Sequence, residues 1–344
     1  MLSHRISSID FFRVVAILAV ICRHTTPFMG NQFNDTPYGV LGILINQGDL
    51  FAIPFFFIAS GFFFGKKIHS GVSPRIVCSS YSKRLLTIFI FWSFIYMVMP
   101  TDIPELLQYG FLKTTYWKIY SLFTHPITLI FQGAKVHLWF LVSLVCALWL
   151  ITLLINNGFQ KKIIFLSAIL YVLGLMARSY SDTPFGLNNI QFDTRNGPFI
   201  STLFVAIGYY YSSNDFRFKP GVAITLIIIG LVLHMTEVFI LWNFFNIAPP
   251  TPRYLLGTVI FNAGIMLLLL AKPNFAMSSP LPKIGKYTLG VYTSHQLFVD
   301  ILKPLGGYFN SFFWEISCPV IVYALALLLT FLFTQNRLLR GVVI

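Results

Sequence analysis

Apolar stretches long enough to enter a bilayer recur from one end of the chain to the other, and no other feature constrains its fold as much. A helix crossing the hydrocarbon core needs about 20 mostly apolar residues. Ten segments qualify, near residues 9–29, 41–65, 84–100, 137–155, 162–178, 197–212, 220–242, 254–271, 285–303 and 314–334. They leave no room for a soluble domain, so the expected fold is all-α: a polytopic membrane protein, a bundle of about ten transmembrane helices forming one integral membrane domain over residues 1–344. The region 101–136 is too polar to span and is expected to form a structured loop or an interfacial helix. The first apolar stretch lacks a small-residue cleavage site, which makes it a retained helix rather than a removable signal.

Charge then gives an orientation. Only 10% of residues are charged, against about a quarter in soluble domains, yet the net charge is +13. Nucleic-acid binding is one source of such an excess; basic loops that set membrane topology are the other. Outside the ten segments, fifteen Lys and Arg fall on the side that holds both termini and seven on the opposite side. Because positive loops stay in the cytoplasm, the excess reads as topological, with both termini inside and no nucleic-acid partner. Cys22, Cys78, Cys146 and Cys318 show no CxxC spacing and read as small hydrophobes.

Ionisable side chains within spans cost a few kcal/mol on insertion scales, and they face the protein interior or water. Arg13 and His24 lie eleven residues apart in DFFRVVAILAVICRH. At 100° per residue they share one helix face, about 16 Å apart along the axis. Arg13 falls on the cytoplasmic side and His24 in the outer half. Two readings stay open here: a functional pair, or a snorkelling Arg13 held by Asp10 with His24 as a packing residue. Arg23 points about 100° away from His24 and has no assigned role. His137 opens the fourth span in HLWFL, and His295 lies mid-span in YTSHQLF, one turn after Tyr292. His234 and Glu237 share a face of the seventh span, but no second pair completes a metal site, so no metal is expected. Arg195 and Asn196 begin the sixth span on the outer side, where they suit hydrogen bonding to a sugar. Soluble-enzyme signatures such as GxSxG, the P-loop and GxGxxG are missing.

These residues, taken together, resemble the membrane-bound acyltransferase-3 family of bacterial O-acetyltransferases. The matching segments, in order, are Ile9-Asp10 with Arg13 and His24, PFFFIASGFFF (54–64), HLWFL (137–141), TRNGPFISTLFVAIGYYYS (194–212) and IGKYTLGVYTSHQLF (284–298). The resemblance implies a multi-pass protein of the bacterial cytoplasmic (inner) membrane. It would transfer an acyl group, most often acetyl, from acetyl-CoA as cytoplasmic donor substrate to a hydroxyl of a cell-surface or lipid-linked glycan. His24 matches the family's essential histidine and Arg13 its partner arginine. The family often carries RxxR at the start of the third span; this chain has Lys83-Arg84 instead, so donor contact by Lys83 and Arg84 is inferred from charge and cytoplasmic position. The esterase-type domain that follows the spans in some relatives is not found after the tenth segment.

The mechanism expected from this reading places coenzyme A phosphates on Arg13, Lys83 and Arg84, with the acyl arm running up the first helix to His24. His24 takes the acceptor hydroxyl's proton as general base, or forms an acyl-histidine. His137, Arg195, Glu237 and His295 are the candidates for acceptor binding. The rival reading is a transporter or flippase for a glycan or lipid, with the same charges lining its pathway. A sensor or assembly protein, in which His24 is replaceable, is a third.

Overall fold

The computed structural model describes residues 6–344 except 31–35, 100–102, 189, 191, 214–218, 250, 252, 310 and 311, and the side chain of Pro104. The described residues form helices and no strand. In chain order these are α1 Ser7–Thr25, α2 Pro37–Gly48, α3 Ala52–His69, α4 Pro74–Val98 and α5 Ile103–Thr124. There follow α6 Pro126–Gln132, α7 Trp139–Asn156, α8 Ile163–Met176, α9 Pro198–Tyr211 and α10 Pro220–Phe245. The last five are α11 Leu256–Ala271, α12 Leu281–Ile284, α13 Thr288–Leu302, α14 Gly306–Phe309 and α15 Phe312–Gln335.

Local chemistry sets many of these boundaries. Thr36 accepts the Gly39 amide at 3.4 Å, and Pro37 supplies a ready-made helical φ, so α2 starts there. Pro198 and Pro220 open α9 and α10 in the same way. Asn246 ends α10 in the left-handed conformation, φ 54°. Within α5 the helix breaks at Gly110, whose φ of 77° and ψ of 164° are not helical.

Each of the ten expected segments contains a helix, but a count of ten spans is not confirmed. Among the described residues, four stretches are long and apolar enough to cross a membrane: Pro37–His69, Val136–Asn156, Pro220–Phe245 and Phe312–Gln335. The first of these joins α2 to α3 through a 3₁₀ turn at Asp49–Phe51. Helices α9 and α11 are apolar but have only 14 and 16 residues. At 1.5 Å per residue they are shorter than a hydrocarbon core of about 30 Å. Hydropathy reads apolar loop residues and helix residues alike, so apolar flanks lengthen the apparent span. The 101–136 region is mainly helical, as α5 and α6.

The chain divides into two compact units. The first holds Met1–Ala16, Leu50–Ser82 and Ser143–Gly285. In it α3 packs on α9, α8 on α9, and α10 on α11. Small residues let these backbones meet, as expected where dispersion and close approach drive helix association. A Cβ on Gly61 would stand 2.1 Å from the Val205 carbonyl oxygen, and one on Gly208 1.9 Å from that of Ile58. The second unit holds Ile17–Asp49, Lys83–Val142 and Lys286–Ile344. Here α13 lies along α15. The Trp92 indole donates to the Val342 carbonyl at 3.1 Å, and the Tyr96 hydroxyl to that of Thr293 at 2.8 Å. These two large, fully buried aromatics from α4 tie it to the C-terminal elements.

Candidate active site

Three histidines from distant parts of the chain meet in the second unit. His24 comes from the last turn of α1, His137 from a 3₁₀ turn before α7, and His295 from the middle of α13. Ring centroids lie 5.1 Å apart for His24–His295, 5.1 Å for His137–His295 and 6.2 Å for His24–His137. Tyr96 and Tyr292 pack on the His137 ring at 5.2 and 5.7 Å.

Two of the three rings are anchored by backbone. His295 Nδ1 bonds the Tyr292 carbonyl at 2.6 Å, and His137 Nε2 bonds that of Thr293 at 3.3 Å. A carbonyl only accepts, so each of these nitrogens carries the ring's proton in the neutral form. The Tyr292 hydroxyl donates to the His137 carbonyl. His137 and His295 are 2% and 0% exposed. His24, by contrast, is only partly buried and lines a cavity of about 880 Å³.

The cavity walls come from α5, the Lys135 turn and the end of α13, and include Glu105, Trp117, Lys135, Gln296, Asp300 and Lys303. Lys135 pairs with Asp300 at 2.5 Å, and Gln296 donates to the same carboxylate at 2.9 Å. Lys303 donates to Thr26 Oγ1 at 3.0 Å and to the His24 carbonyl at 3.5 Å. The result is a chamber of mixed charged, polar and apolar walls with an imidazole among them. Sequence reasoning passed over this lining. Asp300 and Gln296 sit one turn apart on α13, and the rule that picked out His295 would have picked out Asp300 as well.

Arg23, left without a role by the sequence, donates to the Asn46 carbonyl at 2.8 Å and lies 3.7 Å from the Asp49 carboxylate. It therefore braces the end of α2 against α1. Lys83 and Arg84 are exposed on α4.

The other predicted residues belong to the first unit and have partners there. Arg13 bonds Asp10 at 2.8 Å and stacks over the Phe63 ring at 5.1 Å. Arg195 bonds the Asp193 carboxylate at 2.8 Å, and Arg178 pairs with the same group. Burial alone would raise the Asp193 carboxyl. The two guanidiniums and the Arg195 amide outweigh it and hold the group below its ordinary value of 3.8. Glu237 accepts the Leu256 and Gly257 amides at 3.1 and 2.7 Å, capping α11 where the helix dipole favours an anion. It also accepts from the Tyr180 hydroxyl; burial first, and the Glu237 contact second, push that phenol up. His234 bonds Thr258 Oγ1 at 3.0 Å beside the same helix start. Among the described residues no three His, Cys, Asp or Glu side chains are placed to hold a metal ion.

A family model described as an acyltransferase domain matches residues 6–335. Among curated proteins, an amino-acid racemase of Enterococcus faecalis is 26% identical over 327 residues, which is 89% of this chain and 43% of that protein. Another amino-acid racemase of the same species is 26% identical over 229 residues, 62% of this chain and 29% of that protein. A serine/alanine racemase of Enterococcus gallinarum is 24% identical over 309 residues, 83% of this chain and 40% of that protein. The chain spans less than half the length of these relatives, so their names describe longer proteins. No solved structure matches it.

Proposed function

Starting from the fact that the chain belongs to the acyltransferase-3 family, we propose that it transfers an acyl group, acetyl in the first instance, from cytoplasmic acyl-CoA to a hydroxyl of an extracytoplasmic or lipid-linked glycan. The observation that carries this reading is His24: a partly exposed imidazole at the wall of an 880 Å³ cavity lined by charged, polar and apolar side chains, with two buried imidazoles near it.

In the proposed reaction His24 accepts the proton of the acceptor hydroxyl as its oxygen attacks the thioester carbonyl carbon. The C–O bond forms, the C–S bond breaks, and the proton passes from His24 to the departing thiolate, releasing coenzyme A. No metal takes part. Arg13, three turns earlier on α1 and about 16 Å away along its axis, is one cation for the donor's phosphates, and Lys83 and Arg84 are, separately, two others. In the cavity Trp117 offers an aromatic face to a sugar ring, while Glu105, Gln296 and Asp300 accept or donate hydroxyl hydrogen bonds. His137 is buried, its ring centroid 6.2 Å from that of His24. Arg195 and Glu237 do not line this cavity, so acceptor binding is assigned to the residues that do.

The test is His24→Ala with cell-surface glycans read by NMR or mass spectrometry. Acylation is lost while the protein remains in the membrane at its normal level. Retained acylation overturns the mechanism.

A further inference from the structure

The charges on the wall of the His24 cavity do not cancel. Among the described residues that line it, the lysines are Lys118, Lys135 and Lys303 and the acids are Glu105 and Asp300. Lys135 and Asp300 pair at 2.5 Å and offset each other. Two ammonium groups then stand against one carboxylate, so a positive charge is in excess on this wall however Glu105 is shared. Lys303 has no close counter-ion. Its Nζ donates to Thr26 Oγ1 at 3.0 Å and to the His24 carbonyl at 3.5 Å, both neutral oxygens, and among the described residues no carboxylate lies within ion-pair distance of it. Asp300 and Glu315 act on it only from further off. Asp300 is held by Lys135 and Gln296, while Glu315 lines no part of the cavity and accepts the Phe28 amide. An ammonium has three N–H donors, so two bonds do not exhaust it. A cation of this kind is costly in a membrane protein and marks the path of a substrate or ion.

We propose that Lys303 is the specificity-determining residue for an anionic acceptor: the glycan acylated in this cavity carries a carboxylate or a phosphate close to the hydroxyl that receives the acyl group. This inference rests on the reading of the cavity as the acceptor site. Lysine is a compact point charge on a flexible stem, and it takes either anion without the planar two-point fit that arginine imposes. Because Nζ bonds the backbone oxygen of His24 itself, an anion held there sits beside the residue read as the base, which places charge and hydroxyl on the same or neighbouring sugar rings. A neutral glycan leaves the ammonium with the two oxygens it already has and gains nothing from it. The difference between the two acceptors is the specificity.

Two variants separate recognition from scaffolding. Lys303→Gln keeps hydrogen-bond donors for Thr26 and the His24 carbonyl but loses the charge, and Lys303→Arg keeps the charge. The parent protein in lipid nanodiscs is dimethylated with 13C-labelled formaldehyde, which leaves its lysines charged. The Lys303 signal is assigned by its loss in Lys303→Gln. Glucose, glucuronate and glucose 6-phosphate are then titrated at constant ionic strength. The expected result is a saturable shift of the Lys303 signal with one or both anionic sugars, at a concentration roughly tenfold or more below that for glucose, the worth of one charge-assisted bond. Which anion acts distinguishes a carboxylate from a phosphate. In membrane vesicles the same sugar inhibits transfer of radiolabelled acetyl from acetyl-CoA to the glycan in the parent and in Lys303→Arg, and inhibits it far more weakly in Lys303→Gln, with the KM for acetyl-CoA unchanged throughout. Anionic sugars that shift the signal no better than glucose, or that inhibit Lys303→Gln as strongly as the parent, overturn the proposal. If the signal discriminates the anionic sugars while the parent protein transfers no acetyl, the anion site stands and the acyl-transfer reading is the one that fails.

Discussion

Two residues just beyond the end of α1 sit in the left-handed region: Thr26 at φ 51° and Phe28 at φ 59°, either side of Pro27. A β-branched and a bulky side chain at positive φ each cost roughly 1–3 kcal/mol and persist only where surroundings over-determine them. The surroundings are identifiable. The Phe28 amide donates to a Glu315 carboxylate oxygen at 2.8 Å, and Lys303 holds the Thr26 hydroxyl. The turn thus ends α1 sharply and fixes where the His24 ring can go. Glu315→Ala frees the Phe28 amide and lets the turn relax. Acetyl transfer is expected to fall about tenfold, equivalent to some 1.4 kcal/mol, with no change in the KM for acetyl-CoA in membrane vesicles.

At the scale of elements, the α3–α9 pair is the tightest test of packing. Because the Gly208 position would place a Cβ 1.9 Å from a backbone oxygen, no side-chain rotation relieves the clash, and the helices must move apart. Gly208→Leu is expected to cost at least the upper end of the usual 1–3 kcal/mol for overpacking. It should show as loss of the monodisperse peak after detergent extraction. The connection between α8 and α9 depends instead on charge, through Arg178, Asp193 and Arg195. The Asp193 carboxyl is held below 3.8 in the folded chain, so its stabilisation is fully present above that value and is lost only as pH falls through the lower folded value. The melting-temperature difference between the parent protein and Asp193→Asn should therefore be constant at neutral and mildly acidic pH. It should shrink towards zero well below pH 3.8.

For the whole molecule, we propose the orientation that the distribution of Lys and Arg favours, with both termini and the Lys161-Lys162 turn on the cytoplasmic side. A fluorescent-protein fusion at the C-terminus should fluoresce, and alkaline phosphatase inserted near Asp182 should be active; the reverse pattern overturns the orientation. Helical class, approximate helix positions and the family were legible from apolar stretches and ordered motifs, because hydropathy and local spacing are properties of the chain itself. Arg13 and His24 on one helix face could be worked out with the helical repeat alone. The sequence could not say that His24, His137 and His295 meet, since residues more than 100 positions apart are brought together only by helix packing. Nor could it separate Glu237 as a helix cap from Glu237 as a binding group, because both need the same buried carboxylate and only its neighbours differ. What the sequence determined by itself was therefore an all-helical membrane protein of the acyltransferase family with a histidine within its first helix. Tertiary structure decided which charges line the cavity and which hold the scaffold, because hydrogen-bond partners are set by packing across the chain and not along it.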